Sequence, residues 1–165
     1  NLKNIKFFKI YSSPYQRTYD TVKQLAKLNH IKIIVDEKFS EMYFGVYDGF
    51  KWEEVNKENP HIHIKHMETN EIMNIPEQEN TEQVAERMYK RISEIVQEKE
   101  NKNKNILIAS HGVAIEAFLR KITQEPFVEK REEYSQKNTS VNLIEYDESN
   151  KIFKVKILNN KMLDK

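Results

Sequence analysis

Two short apolar segments, each followed at once by a helical pattern, constrain the fold most. Residues 7–11 are β-prone and run into Ser13-Pro14, which fit the cap and the first position of a helix over residues 14–29. Residues 106–110 are equally apolar and run through His111-Gly112 into a second helix. Strands that lead directly into helices are typical of an α/β sheet.

The remaining pattern predicts a mixed, mostly parallel sheet with helices on both faces. The other predicted elements are, in chain order, a strand at 31–35, a short helix at 51–59, a long helix after a capping box at 80–83, and two strands at 141–146 and 152–158 joined by a hairpin turn. Residues 61–79 have no clear period and are interpreted as an irregular excursion or lid.

Length and composition exclude several classes of protein. The 165 residues suit one domain over residues 1–165. The 27 Lys plus Arg and 26 Asp plus Glu give a net charge of +1, which argues against a nucleic-acid partner. The chain has no cysteine, which excludes disulfides and thiolate catalysis. No apolar run could span a membrane and no signal peptide is evident, so a cytoplasmic protein without a membrane partner is expected.

The two strand–helix junctions predict an anion pocket. Ligands of open α/β sheets bind beyond the carboxyl ends of the strands, where helix N-termini offer free N–H groups. Arg17 adds a planar fork for two phosphate oxygens, and His111 next to an anion would tend to stay protonated. The alternative for Arg17 is an ordinary surface residue in the first turn of a helix.

Glu41 is the candidate acid. It stands between Phe39 and Met42 in an aromatic loop, and apolar neighbours can raise the pKa of a carboxyl group so that it serves as a general acid. The alternative is an exposed loop charge.

Four segments share a pattern with one family. One reads Ser12-Ser13-Pro14-Tyr15-Gln16-Arg17-Thr18-Tyr19-Asp20-Thr21 and resembles the Ser-Ser-x-x-x-Arg-x-x-x-Thr segment of the histidine phosphatase (phosphoglycerate mutase-like) superfamily. Residues 39–49 resemble its Leu-x-Glu-x-x-Phe-Gly-x-x-x-Gly loop, residues 110–112 its second histidine motif, and residues 138–141 the segment before its next strand. The four occur in the family's order and cover nearly the whole chain.

The resemblance implies a phosphomonoesterase that acts through a phosphohistidine on a small-molecule phosphate ester, without a metal or other cofactor. It implies that Arg17 binds the phosphoryl group, that Glu41 is the proton donor, and that His111 and the adjacent Gly112 belong to the phosphate pocket. Met42 follows the loop glutamate where the mutases carry arginine, so the chain is more similar to the phosphatase branch, including α-ribazole phosphatases. A mutase and a non-catalytic phosphate-binding relative are the alternatives.

The family's first motif has no counterpart here. Family members open with a strand inside the sheet that ends in Arg-His-Gly, whose histidine is the nucleophile. No histidine of this chain has an arginine before it and a glycine after it. We therefore expect this strand upstream of residue 1 in the natural polypeptide, and we expect residues 1–165 alone to be inactive. A degenerate relative and a misleading resemblance are the alternatives.

A histidine cluster at 61–66 allows two interpretations. His61, His63 and His66 suggest a metal site, but Glu68 is not at helical spacing from any of them. A segment that overhangs the pocket and helps to select the substrate is the preferred interpretation, and no metal ligand is predicted. The sequence leaves the oligomeric state open, with a homodimer as one candidate.

Overall fold

The computed structural model describes residues 2–60, 75–126 and 131–163. The elements are β1 (Lys9–Ser12), α1 (Gln16–Asn29), β2 (Ile33–Val35), α2 (Trp52–Glu58), α3 (Thr81–Gln97), β3 (Ile106–Ala109), α4 (Gly112–Thr123), α5 (Arg131–Tyr134), β4 (Leu143–Asp147), β5 (Ile152–Leu158) and β6 (Lys161–Met162). Short 3-10 turns occur at Leu2–Asn4, Glu37–Phe39, Gly45–Tyr47 and Lys99–Asn101.

The strands form two three-stranded sheets. The first has the order β2-β1-β3 and is parallel, with Ile10 of β1 opposite Ile33 on one side and Leu107 on the other. The second has the order β4-β5-β6 and is antiparallel. The predicted mixed α/β architecture is confirmed.

Helices cover both faces of the parallel sheet. Successive residues of β1 point to opposite faces, so neighbouring residues of this strand pack against different helices. Ile10 is fully buried against Val22 and Ala26 of α1. Tyr11 lies on the other face, in a larger cluster built mainly from α3 and α4. That cluster also contains Phe39, which is completely buried and therefore anchors the loop after β2.

A cleft separates the two sheets. Among the described residues, β3 and β4 are both edge strands, since each is paired on one side only. The cleft has a volume of about 1830 Å³, and both β3 and the segment 141–148 line it. Ile108 of β3 and Ile144 of β4 pack against the same apolar cluster but are only half-buried. The unpaired edges of β3 and β4 therefore border the same cleft, and each carries an isoleucine that packs against the same apolar cluster.

Two sequence-based expectations about helix ends have different outcomes. The capping box is confirmed, because the Asn80 side chain accepts from the Gln83 N–H and the Gln83 side chain accepts from the Asn80 N–H, both at 2.8 Å. The predicted start of α1 is wrong by two residues. Tyr15 occupies the cap position without a side-chain bond, and the Ser13 hydroxyl bonds to Thr18 and His111. Most of the predicted lid, residues 61–74, lies outside the described residues.

Candidate active site

Buried hydroxyl groups fix the turn between β1 and α1. Ser12, Ser13 and Thr18 are all at most 5% exposed. The Ser13 and Thr18 hydroxyl oxygens are 2.6 Å apart, and the Thr18 hydroxyl also donates to the Tyr15 carbonyl at 2.7 Å. Because buried hydroxyls need partners, this network holds the first turn of α1, and Arg17 with it, in one position.

His111 links the two strand–helix junctions. Its Nε2 is 2.7 Å from the Ser13 hydroxyl oxygen, and its Nδ1 accepts from Arg17 Nη2 at 2.9 Å and from Arg17 Nε at 3.2 Å. Since a guanidinium only donates, Nδ1 must carry a lone pair and Nε2 the hydrogen. His111 is therefore the neutral tautomer that donates to Ser13.

The electrostatics agree with this assignment. Burial, and then the positive charges of Arg17 and Arg87, lower the pKa of His111 to about 4. His111 is thus uncharged near neutral pH in this arrangement, because the ring is buried and the charges closest to it are cations. The expectation of a protonated histidine concerns a ring next to a bound anion and stays a prediction.

Tyr15 is a site residue that sequence reasoning did not select. Its ring lies edge-on to the His111 ring with centroids 5.1 Å apart, and the Arg17 guanidinium carbon is 4.7 Å from its centroid. Tyr15 is 39% exposed. It lines a smaller pocket that Glu41, Glu79 and Arg87 also border. Its position two residues before Arg17, in a turn that follows a buried strand, is the signal that could have found it.

The Glu41 carboxylate binds the N-terminus of α4. Oε1 accepts from the N–H groups of Met42 at 2.9 Å and Ala114 at 3.0 Å, and Oε2 accepts from Val113 at 3.3 Å. His111 is the cap residue of α4 but makes no side-chain cap bond. The Glu41 carboxylate accepts from the first N–H groups of the helix instead. The expected apolar surroundings of the carboxylate are wrong: the apolar neighbours Phe39 and Met42 point into the core, and backbone donors surround the oxygens.

The predicted site residues come together in the cleft, since Arg17, Glu41, His111 and Gly112 all line it. Gly112 is the first residue of α4. Among the described residues, apart from its chain neighbours and the nearby backbone of its own helix, no atom lies within 4 Å of where a Cβ would stand on Gly112, which leaves room for a ligand there. The arrangement combines a guanidinium, an imidazole and a carboxylate around one space, which suits the binding of an oxyanion and the transfer of a proton.

A second pair of charged residues near Glu41 was also missed. Arg87 of α3 and Glu79 form an ion pair with Nε and Oε1 2.8 Å apart. Sequence analysis selected neither Glu79 nor Arg87. The position of Glu79 directly before a capped helix that carries an arginine two turns later was the available signal.

Within residues 2–60, 75–126 and 131–163, no group of three or more His, Cys, Asp or Glu side chains could hold a metal ion. The histidines at 61, 63 and 66 lie outside these ranges. None of the helices in the same ranges has the length and apolar character needed to cross a membrane.

Comparison with known proteins identifies a family and its fold. The sequence model of the histidine phosphatase superfamily (branch 1) matches residues 1–161. The chain is 27% identical to phosphoserine phosphatase 1 of Hydrogenobacter thermophilus over 109 residues, which are 66% of this chain and 51% of that protein. It spans between 30% and 55% of the length of the curated relatives that it matches.

Two solved structures share the fold. Bacillus stearothermophilus YhfR superposes with a TM-score of 0.80 at 21% identity, covering 98% of this chain and 78% of YhfR. A mycobacterial glucosyl-3-phosphoglycerate phosphatase in complex with inorganic phosphate superposes with a TM-score of 0.78 at 19% identity, covering 96% of this chain and 79% of that one.

Proposed function

The chain belongs to the histidine phosphatase superfamily, and we propose that it is the greater part of a phosphomonoesterase that works through a phosphohistidine. One observation carries the proposal: Arg17, His111 and Glu41 line one cleft, where the ends of two parallel strands meet. Each side chain has the chemistry that hydrolysis of a phosphate ester requires.

Arg17 and His111 would hold the phosphoryl oxygens. Arg17 already directs two N–H groups at His111 Nδ1, so an oxyanion of the substrate would accept these donors in place of the ring nitrogen. The anion would also reverse the electrostatic balance at His111, because an adjacent negative charge raises the pKa of an imidazole. Binding of the substrate would thus bring a proton to His111 and add a donor to the pocket.

The nucleophile is proposed to come from a strand that ends in Arg-His-Gly and pairs within the cleft between β3 and β4. Both bordering strands have an unpaired edge among the described residues, and Ile108 and Ile144 would be covered by such a strand. A strand parallel to β3 would end on the same side as His111, since parallel strands have their carboxyl ends at one edge of a sheet. Its histidine would then attack phosphorus in line with the leaving oxygen.

Glu41 is proposed to protonate the leaving alkoxide and then to activate the water that hydrolyses the phosphoenzyme. Its carboxylate is held by three backbone N–H groups, so its location is fixed before a substrate arrives. Two relatives are named for phosphoserine and glucosyl-3-phosphoglycerate. A phosphorylated hydroxyl group on a small polar molecule is therefore the proposed class of substrate, as in the α-ribazole phosphatases that the loop resembles.

The test is to read the open reading frame that encodes the chain and to produce the whole polypeptide. It should contain Arg-His-Gly upstream of Asn1, release phosphate from small esters, and form an acid-labile phosphohistidine detectable by ³¹P NMR and intact mass. A start codon directly before Asn1, together with phosphate binding but no turnover, would contradict the proposal and favour a non-catalytic phosphate sensor.

A further inference from the structure

Glu41 lies in the middle of a segment that one arginine of α3 holds. Arg87 Nη1 donates to the Lys38 carbonyl at 2.8 Å, and Arg87 Nη2 donates to the Glu41 carbonyl at 3.0 Å. The same guanidinium forms a two-point ion pair with Glu79, at 2.8 Å through Nε and 3.0 Å through Nη2. One rigid fork therefore binds the backbone on both sides of residues 39–40 and a carboxylate.

Glu79 extends this hold to the far end of the segment. Its Oε2 accepts from the Tyr43 N–H at 3.0 Å, and its own N–H donates to the Tyr43 carbonyl at 3.0 Å. Although burial raises the pKa of Glu79, the Arg87 guanidinium and the Tyr43 N–H together hold it below its usual value, so the carboxylate stays charged. Arg87 and Glu79 together therefore form hydrogen bonds with the backbone of the segment at Lys38, Glu41 and Tyr43.

The other contacts of this segment hold Phe39 and Met42 but do not bond to the Glu41 carbonyl. Phe39 and Met42 are buried in the core, and Ser110 donates to the Phe39 carbonyl at 2.8 Å. These contacts fix the two ends of the turn but do not touch the Glu41 backbone. In the described part of the chain, the Glu41 carbonyl accepts a hydrogen bond from Arg87, which holds the backbone from which the Glu41 side chain extends.

We propose that Arg87, oriented by Glu79, is a positioning residue: by fixing the Glu41 backbone it acts together with the three N–H groups on the carboxylate to set the location of that carboxylate relative to the leaving oxygen. The inference rests on the proposed function, since it assigns Arg87 a part in proton donation. Displacement of a catalytic group by about 1 Å can cost on the order of 100-fold in rate. Loss of the fork should therefore damage the steps that need Glu41 and spare those that do not.

Arg87→Lys is the informative variant, because lysine keeps the positive charge near His111 but cannot donate to Glu79 and two carbonyls in one plane. Arg91→Lys is the matched control. Arg91 lies one turn later on α3 and pairs with Asp36 at 2.6 Å. Asp36 accepts from the Lys38 N–H, so the same substitution alters a guanidinium that acts on the start of the segment but does not bond to the Glu41 backbone. Both variants are made in the whole polypeptide.

The first measurement is the rate of phosphoenzyme formation with an alkyl phosphate and with nitrophenyl phosphate, whose leaving group needs no proton. Arg87→Lys should slow the alkyl reaction on the order of 10-fold or more and the nitrophenyl reaction by less than about threefold. Arg91→Lys should change neither. Arg87→Lys combined with Glu41→Gln should be no slower than Glu41→Gln alone, because both act through one group. Equal losses for both leaving groups, or equal losses in both variants, would overturn the proposal.

The second measurement does not depend on activity. Amide hydrogen exchange at Met42 and Tyr43, whose N–H groups donate to Glu41 and Glu79, should accelerate in Arg87→Lys and stay unchanged in Arg91→Lys. Unchanged exchange in Arg87→Lys would overturn the positioning role. If the wild-type polypeptide turns over no ester, the proposed function fails, and exchange alone then decides whether Arg87 positions Glu41.

Discussion

The neutral state of His111 predicts a specific dependence of stability on pH. Its pKa in the folded chain is about 4, against an ordinary value of 6.5. As the pH falls below 6.5, the unfolded chain takes up a proton that the folded chain does not, so the free energy of unfolding falls until the pH reaches about 4. Above pH 6.5 the ring is unprotonated in both the folded and the unfolded chain, so the contribution of His111 to the free energy of unfolding no longer changes with pH.

The size of the effect follows from the two pKa values. Each unit of separation corresponds to about 1.4 kcal/mol, so the full loss is at most about 3.5 kcal/mol. Water in the open cleft screens part of the interaction with Arg17, which reduces the expected loss to about 2 kcal/mol. His111→Gln keeps a polar side chain but cannot take up a proton, so this variant should lack the loss.

Urea unfolding at a series of pH values from about 4 to about 7.5 measures the effect in wild type, His111→Gln and the control His30→Asn. His30 is exposed at the end of α1 in a left-handed conformation that asparagine tolerates. The difference in the free energy of unfolding between wild type and His111→Gln should be constant near neutral pH. As the pH falls, wild type should lose about 2 kcal/mol relative to the variant. A difference that does not change with pH would refute the assignment of a neutral, buried His111, whatever its offset.

The remaining predictions concern the pocket, the loop and the metal. Arg17→Ala and His111→Ala should each lower turnover of the whole polypeptide on the order of 100-fold, measured by phosphate release, while wild-type rates in folded variants would put the pocket elsewhere. Gly45→Ala should lower the free energy of unfolding by about 1–3 kcal/mol in urea titrations, because φ is +60° and a Cβ would lie 2.0 Å from the Pro76 carbonyl oxygen; an unchanged midpoint would contradict this. Dialysis against a strong chelator should leave the rate unchanged, and a loss that one divalent ion restores would instead implicate the histidines within residues 61–66.

The elements that the sequence predicts well are those determined by nearby residues. The capping box of α3 involves positions three apart, and the apolar periods of α3 and β3 are visible within one short window. The cap of α1 was predicted wrongly: Tyr15 stands at the cap position, and the Ser13 hydroxyl bonds to Thr18 and also to His111, 98 positions later. A hydroxyl that fits a local cap can be taken by a distant partner, and no local pattern reveals this.

The same limit applies to the chemistry of the site. The residue types of Arg17, Glu41 and His111 were identifiable from motifs, but the contacts that these side chains make come from distant parts of the chain. Glu41 meets the N–H groups of Val113 and Ala114, 72 and 73 positions away. The pKa of His111 is low because burial and cations act on a ring for which the sequence suggests only an anion.

Glu41 also determines which part of the α4 N-terminus is open to a phosphate. A helix N-terminus is a general anion site, so the sequence alone favours phosphate on the first backbone N–H groups of this helix. In the structure the Glu41 carboxylate already accepts bonds from the Val113 and Ala114 N–H groups. A phosphoryl group there would meet a like charge, which disfavours it by electrostatic repulsion. Arg17 and His111 lie at the adjoining junction, and the space beside Gly112 is open. With the proposed function, an oxyanion would therefore bind on the side of the cleft that holds the Arg17 guanidinium, next to the carboxyl group that is proposed to donate the proton.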